Sequence, residues 1–184
     1  VCDTPLHLNR WYADRSGVPV ETVRADIFDY RPAIPFDLIC THSFLGQFDR
    51  AGRSRLVGKW RELLLPGGMV VTANRLSETD DQPKSSFKPE QVQAFRAKVL
   101  EKARDLGASL QCDPEEIAQK AEVFGRRRGA YPVTFDEVVR LFRDSGFRIN
   151  HLSRNTAEDL HEVSASTRPR PHQVEHACVI AERV

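Results

Sequence analysis

The sequence is poor in cysteine and does not arrange what it has. Cys2, Cys40, Cys112 and Cys178 are the four cysteines in 184 residues. None stands in a C-x-x-C pair and no histidine cluster lies beside them, which argues against a structural zinc module or a disulfide framework. Three of the thiols sit inside apolar runs, where a buried, unreactive thiol is the common case, and a reducing cytoplasmic setting fits this usage. Neither sign of charge is in excess: 27 Lys plus Arg stand against 26 Asp plus Glu, a formal net charge of +1. Coating nucleic acid requires a basic surplus, so no nucleic-acid partner is expected. No apolar run approaches the roughly 18–20 residues that cross a bilayer, so no membrane partner is expected either. Internal repeats and low-complexity tracts are absent. What remains is 40% apolar and 29% charged residues, enough for one core, and residues 1–184 read as a single α/β domain.

Short apolar runs alternate with helical patterns through the first half. Val1-Cys2-Asp3 reads as the end of a strand, so the chain reads as beginning within a fold. Thr4-Pro5 opens a helix, with Thr as cap and Pro in the first turn. Leu8, Trp11 and Tyr12 share one face of that helix, and Gly17 ends it. Val20, Thr22 and Val23 alternate toward a strand ending at Asp26-Ile27-Phe28. The compact run Phe36-Asp37-Leu38-Ile39-Cys40-Thr41 reads as a buried strand. Asp49 caps a helix whose stripe is Leu56, Val57, Trp60, Leu63 and Leu64. Pro66-Gly67-Gly68 stops that helix, and Met69-Val70-Val71-Thr72-Ala73 is the next strand. Strand, helix and strand in this rhythm predict a parallel sheet.

The second half changes character. Residues 77–131 form an insert of two amphipathic helices. One spans residues 89–106, with Val92, Phe95, Val99, Ala103 and Leu106 inward. The other opens at Asp113-Pro114, with Ile117, Ala121 and Phe124 inward. Thr134-Phe135-Asp136-Glu137 is a capping box for a helix carrying Val138, Leu141 and Phe142. Phe147 to Leu152 and Ala177-Cys178-Val179-Ile180-Ala181 read as strands with no helix between them and so form an antiparallel pair at one sheet edge, joined by a polar loop over residues 154–171. Trp11, Trp60 and most of the phenylalanines read as core.

Open α/β sheets bind ligands at the carboxyl ends of their strands. That singles out Asp3, Asp26-Ile27-Phe28, Thr41-His42-Ser43 and Asn74. A carboxylate in the place of Asp3 can accept both hydroxyl protons of a ribose; its plainer role is to favour a helix start. Asp26, 23 positions on, can accept from an adenine amino group while the next backbone N–H bonds to a ring nitrogen; its plainer role is a surface turn.

Taken in series, Asp3-Thr4-Pro5, Ala25-Asp26-Ile27-Phe28, Phe36-Asp37-Leu38-Ile39, Leu65-Pro66-Gly67-Gly68, and Thr134-Phe135-Asp136-Glu137 leading to Ser145-Gly146-Phe147 resemble the successive motifs of class I S-adenosylmethionine-dependent methyltransferases, over residues 1–76 and 131–184. The resemblance implies a Rossmann-like sheet ordered 3-2-1-4-5-7-6 with an antiparallel last strand, and S-adenosylmethionine as cofactor. It implies that Asp3 with Thr4 binds the ribose, that Asp26 with Ile27 and Phe28 contacts the adenine, and that Thr41 and His42 lie near the methyl group and substrate. His42 is the candidate general base, because the free imidazole's unperturbed value of about 6.5 suits proton transfer near neutral pH; its plainer role is packing against the ligand. The glycine-rich loop that the family places before its ribose acid is missing from this sequence, together with the first strand. That implies half a cofactor site, and S-adenosylmethionine bound weakly or not at all by this chain. The gap left by a central strand would invite pairing into a homodimer. The insert, placed at the active-site rim, reads as a lid. Arg126-Arg127-Arg128 reads as cations at a helix end or as a catch for an acidic substrate group. Methyl transfer to a small-molecule acceptor is the expected activity. A nicotinamide-dependent oxidoreductase and a non-catalytic methyltransferase-like binding module are the alternatives.

Overall fold

A computed structural model describes residues 3–78, 85–109, 111–127, 129–158 and 173–184. The chain divides into two compact units, Val1–Pro35 and Phe36–Val184.

In the first unit, helix α1 (Thr4–Ser16) has Pro5 in its first turn and ends at Gly17, whose φ of 63° is the left-handed conformation a C-terminal glycine provides. Asp3 occupies the N-cap position with a helical backbone (φ −83°, ψ −14°) and makes no capping bond, so it does not end a strand; Val1 and Cys2 lie outside the described residues. Ala13 is the one buried residue of α1, while Leu8, Trp11 and Tyr12 are exposed. This corrects the reading of Trp11 as core. The strand expected from Val20 to Phe28 does not form: residues 18–26 are irregular and residues 27–29 are a turn. The alternation is present in the sequence, but a strand exists only through ladder bonds to a neighbour, and no described residue pairs with this segment.

The second unit is built on a four-stranded sheet in the order β1-β2-β6-β5. Strands β1 (Phe36–His42) and β2 (Leu64–Arg75) are parallel and joined through helix α2 (Arg50–Leu63). Strand β6 (Gln173–Arg183) runs antiparallel to both β2 and β5 (Phe147–Glu158). This is a Rossmann-like α/β sheet with a reversed last strand, and its order corresponds to the 4-5-7-6 half of the expected arrangement.

Helix α2 begins where Asp49 accepts a hydrogen bond from the Gly52 N–H at 2.7 Å. Its stripe of Leu56, Val57, Trp60 and Leu63 is buried against one sheet face, where Val70, Ala177, Val179 and Ala181 are also buried. Helix α5 (Phe135–Asp144) adds Val138, Leu141 and Phe142. The Trp60 and Phe142 ring centroids are 6.2 Å apart, and Phe142 meets Phe147 edge-on at 5.5 Å. Alternate residues of the same strands face the other way, and there Leu38, Cys40, Met69 and Val71 are exposed. Strand β1 is therefore exposed rather than buried: its apolar run reflects strand propensity, while the open sheet face that it shares with Met69 and Val71 of β2 sets its exposure. Cys40 is an exposed free thiol and Cys178 is half-buried, not the fully buried thiols expected from their apolar surroundings; Cys112, outside the apolar runs, is exposed and free.

The insert contains α3 (Pro89–Leu106) and α4 (Pro114–Arg127), packed together, and a two-stranded pair of β3 (Ser85–Ser86) with β4 (Gly129–Ala130). Val92, Phe95, Ala103 and Ala118 are buried, whereas Leu106 and Phe124 are exposed. A single facing helix covers a narrower stripe than the sequence pattern offers. Of the three consecutive arginines, only the Arg126 side chain is described. It pairs with Glu122 at 2.7 Å, and that hydrogen bond is the largest of the causes holding Glu122 below the usual glutamate range. Both ends of the insert are tied down. Ser77 N–H donates to Val133 C=O, and Tyr131 N–H donates to Gly46 C=O, each at 2.8 Å.

Candidate functional site

The carboxyl end of β1 is the most worked part of the second unit. Alternation along the strand turns Cys40 and His42 to the open face and Thr41 to the helix-covered face. The Thr41 hydroxyl bonds to the Thr72 hydroxyl at 2.7 Å, and the Asn74 amide donates to the same Thr72 oxygen at 2.8 Å. The hydroxyl of Thr41 is thereby engaged inward, and its neighbour His42 carries the exposed chemistry. Directly after His42, Ser43 has φ 51°. This left-handed conformation costs a residue with a side chain of order 1 kcal/mol and persists only where the surroundings impose it. Ser43 N–H donates to Ala73 C=O at 2.7 Å, so the chain turns off the strand end into a single 3-10 turn, Leu45–Gln47.

On the open face the four strands form a shallow groove of about 590 Å³, lined by Cys40, His42, Val71, His151, Ser153 and Asn155 among others. The His42 ring lies 5.9 Å from His176 of β6, tilted by 32°. His151 and Asn155 both reach the Ser153 hydroxyl, at 3.2 and 3.1 Å. Its lining combines apolar side chains of the strands with imidazole, hydroxyl and amide groups. Among the described residues, no group of His, Cys, Asp and Glu is arranged to hold a metal ion.

The candidate nucleoside residues belong to the first unit. The Asp3 carboxylate accepts from Arg24 at 3.1 Å, which ties Asp3 to a residue two positions from Asp26. One Asp26 carboxylate oxygen accepts from Phe28 N–H at 2.9 Å, and the Asp26 carbonyl accepts from Asp29 and Tyr30; this is an Asx turn. Ile27 and Phe28 are half-buried, and Thr4 is the first residue of α1. The acids fit a nucleoside by type: each is an acceptor at the surface with one oxygen outside these bonds, and an exposed ion pair such as Asp3–Arg24 is weak enough to be displaced. The pair of parallel strand tips on which both were expected is not formed.

Sequence reasoning did not single out His151, His176, Arg24 or Arg53. The first two carried a usable signal, since both occupy alternate positions of strands predicted to pair.

No protein-family model and no curated protein matches the chain. Solved structures do. TehB from Haemophilus influenzae aligns over 100% of this chain and 48% of its own, with TM-score 0.57 and 12% identity. An O-methyltransferase family 2 protein from Planctomyces limnophilus, in complex with apigenin, aligns over 97% and 40%, with TM-score 0.54 and 17% identity. The S-adenosylmethionine-dependent methyltransferase SibL in its apo form aligns over 97% and 40%, with TM-score 0.54 and 18% identity. The chain has the fold of the class I S-adenosylmethionine-dependent methyltransferases. It spans about two fifths to one half the length of these three structures.

Proposed function

We propose that the chain is part of an S-adenosylmethionine-dependent methyltransferase acting on a small-molecule acceptor. The observation that carries this reading is the sheet: β1 and β2 parallel, β6 reversed between β2 and β5, and Leu65-Pro66-Gly67-Gly68 within the start of β2. The same reversal disfavours the nicotinamide-dependent alternative. Asp3 and Thr4 would hold the ribose; Asp26, Ile27 and Phe28 the adenine; Thr41 would lie at the cofactor's methyl end without offering its hydroxyl, which Thr72 engages, and His42 would serve the acceptor. The cofactor's sulfonium supplies an activated methyl group. The protein positions the acceptor and excludes water, and His42 takes a proton from an acceptor that must lose one. Rooted beside the turn that follows His42, the insert would cover the acceptor.

The test is methyl transfer from labelled S-adenosylmethionine with Asp3→Ala and His42→Ala variants. Asp3→Ala should raise the cofactor KM at least about tenfold with kcat little changed. His42→Ala should lower kcat by about 10²-fold or more with acceptors that must be deprotonated. Unchanged turnover would remove His42 from this role.

One observation favours a second reading, a non-catalytic methyltransferase-like module. Both acids are already engaged within their own unit, Asp3 by Arg24 and Asp26 by the Phe28 N–H. A thermal shift with S-adenosylmethionine or S-adenosylhomocysteine would count against it.

A further inference from the structure

The interior of the second unit holds a charged side chain that the proposed chemistry does not use. Arg53 lies in the first turn of α2 and is 2% exposed, and its ion-pair partner Glu137 is 3% exposed. The guanidinium donates in three directions: Nε to Leu45 C=O at 3.1 Å, Nη1 to Glu137 Oε2 at 2.7 Å, and Nη2 to Pro132 C=O at 2.7 Å. These acceptors belong to three separate stretches: the turn after β1, the first turn of α5, and the chain leaving the insert.

Asn74, 1% exposed, holds the same turn from the other side. Its Oδ1 accepts from Leu45 N–H at 3.1 Å and its Nδ2 reaches Thr72, which is bonded to Thr41. Both polar groups of the Leu45 backbone are therefore fixed by buried side chains. The next residue, Gly46, takes the Tyr131 N–H at the foot of the insert.

Stability alone does not account for Arg53. A buried ion pair is often no better than apolar residues of the same volume, and here Glu137 Oε1 is buried with no hydrogen-bond partner. What an apolar pair could not do is hold two backbone carbonyls of different loops in one plane. A lysine could not do so either, because its point-like ammonium lacks the planar fork.

We infer that Arg53 is a positioning residue that locks the turn following His42 and Ser43 to the root of the insert, so that the two move as one. On the methyl-transfer reading, on which only this clause rests, the insert's placement then sets the geometry of the acceptor end.

The test is amide hydrogen exchange on the full chain, read at Leu45, Tyr131 and Ser77, with Val70 and Val179 in the sheet as controls. Two variants are compared: Arg53→Lys, which keeps the charge against Glu137, and the double variant Arg53→Met with Glu137→Met, which leaves no unpaired buried charge. Exchange at Leu45, Tyr131 and Ser77 should rise together, at least tenfold, in both variants, with the controls unchanged. Exchange that rises at Leu45 while Tyr131 and Ser77 stay protected, or that rises at none of them, overturns the coupling. Should the double variant fail to fold, Arg53→Lys still decides between these outcomes. Because the readout needs no cofactor and no turnover, failure of the methyl-transfer reading leaves it intact.

Discussion

Arg24 donates to Asp3 at 3.1 Å across 21 residues of sequence, with side chains 58% and 45% exposed. The arginine therefore competes for the carboxylate that would read a ribose. An ion pair this exposed contributes about 0–1 kcal/mol, so Arg24→Ala should shift the melting temperature by only a few degrees at most. It should also tighten binding of S-adenosylhomocysteine, because the carboxylate is released, whereas Asp3→Ala should weaken that binding at least about tenfold. Thermal melts with and without ligand check both expectations. A loss of stability above about 3 kcal/mol in Arg24→Ala would mean that the pair holds the unit together.

The two glycines entering β2 are required for different reasons. Gly67 has φ +78° with open space around it, so Gly67→Ala should cost only the left-handed penalty, about 1–2 kcal/mol. Gly68 has an ordinary backbone but no room: an added Cβ would lie 2.9 Å from Leu65 O, 3.1 Å from Phe36 O and 3.2 Å from Asp37 O. Backbone carbonyls cannot swing aside as a side chain can. Gly68→Ala should therefore push β1 from β2 and cost about 1–3 kcal/mol. Urea unfolding gives the two costs. Amide exchange along β1 separates them, rising in Gly68→Ala and staying level in Gly67→Ala.

The two tryptophans should behave oppositely, although both sit at helical spacing among apolar neighbours. Trp60 is 1% exposed and packed on Phe142, so Trp60→Ala should cost about 3–5 kcal/mol. Trp11 is 56% exposed, with Arg15 lying 5.0 Å from its ring centroid. Trp11→Ala should cost under about 1 kcal/mol, the scale of an exposed cation–π contact. Trp60→Phe should leave the red-shifted emission of a solvated indole, and blue-shifted emission from that variant would contradict the exposure of Trp11.

These contrasts mark what local pattern could and could not reveal. The caps Asp49 and Thr134, the stripe from Leu56 to Leu63, and the bounds of α3 were readable because each depends on neighbours within a few turns of chain. The β5–β6 pairing was readable because the sequence shows no helical pattern between the two apolar runs. The strand expected over residues 20–28 needed a partner that alternation cannot supply, and the exposure of β1 depends on its place in the sheet. In the candidate site, His42 was found by its place after a strand, whereas His176 meets it only through the β2–β6 register. Arg53 was invisible for a further reason. It stands in α2 among Arg50, Arg55, Lys59 and Arg61, and nothing in a run of cations says which of them turns inward.

The β5–β6 edge carries a pH dependence whose sign follows from its hydrogen bonds. Glu182 accepts from Asn150 at 3.0 Å and from Arg148 at 2.6 Å. These bonds, Asn150 first, hold its carboxyl below the usual glutamate range. The folded state thus favours the charged form more than the unfolded chain does. The stabilisation is fully present above the ordinary glutamate value, about pH 4, and is lost as pH falls through the lowered folded value. Arg148→Ala combined with Asn150→Ala should reduce the melting temperature at pH 7 while leaving it close to that of the parent near pH 3. Melting curves at half-unit steps from pH 3 to pH 7 test this. Two profiles that stay parallel over the whole range would show that Glu182 gains nothing from its neighbours on folding.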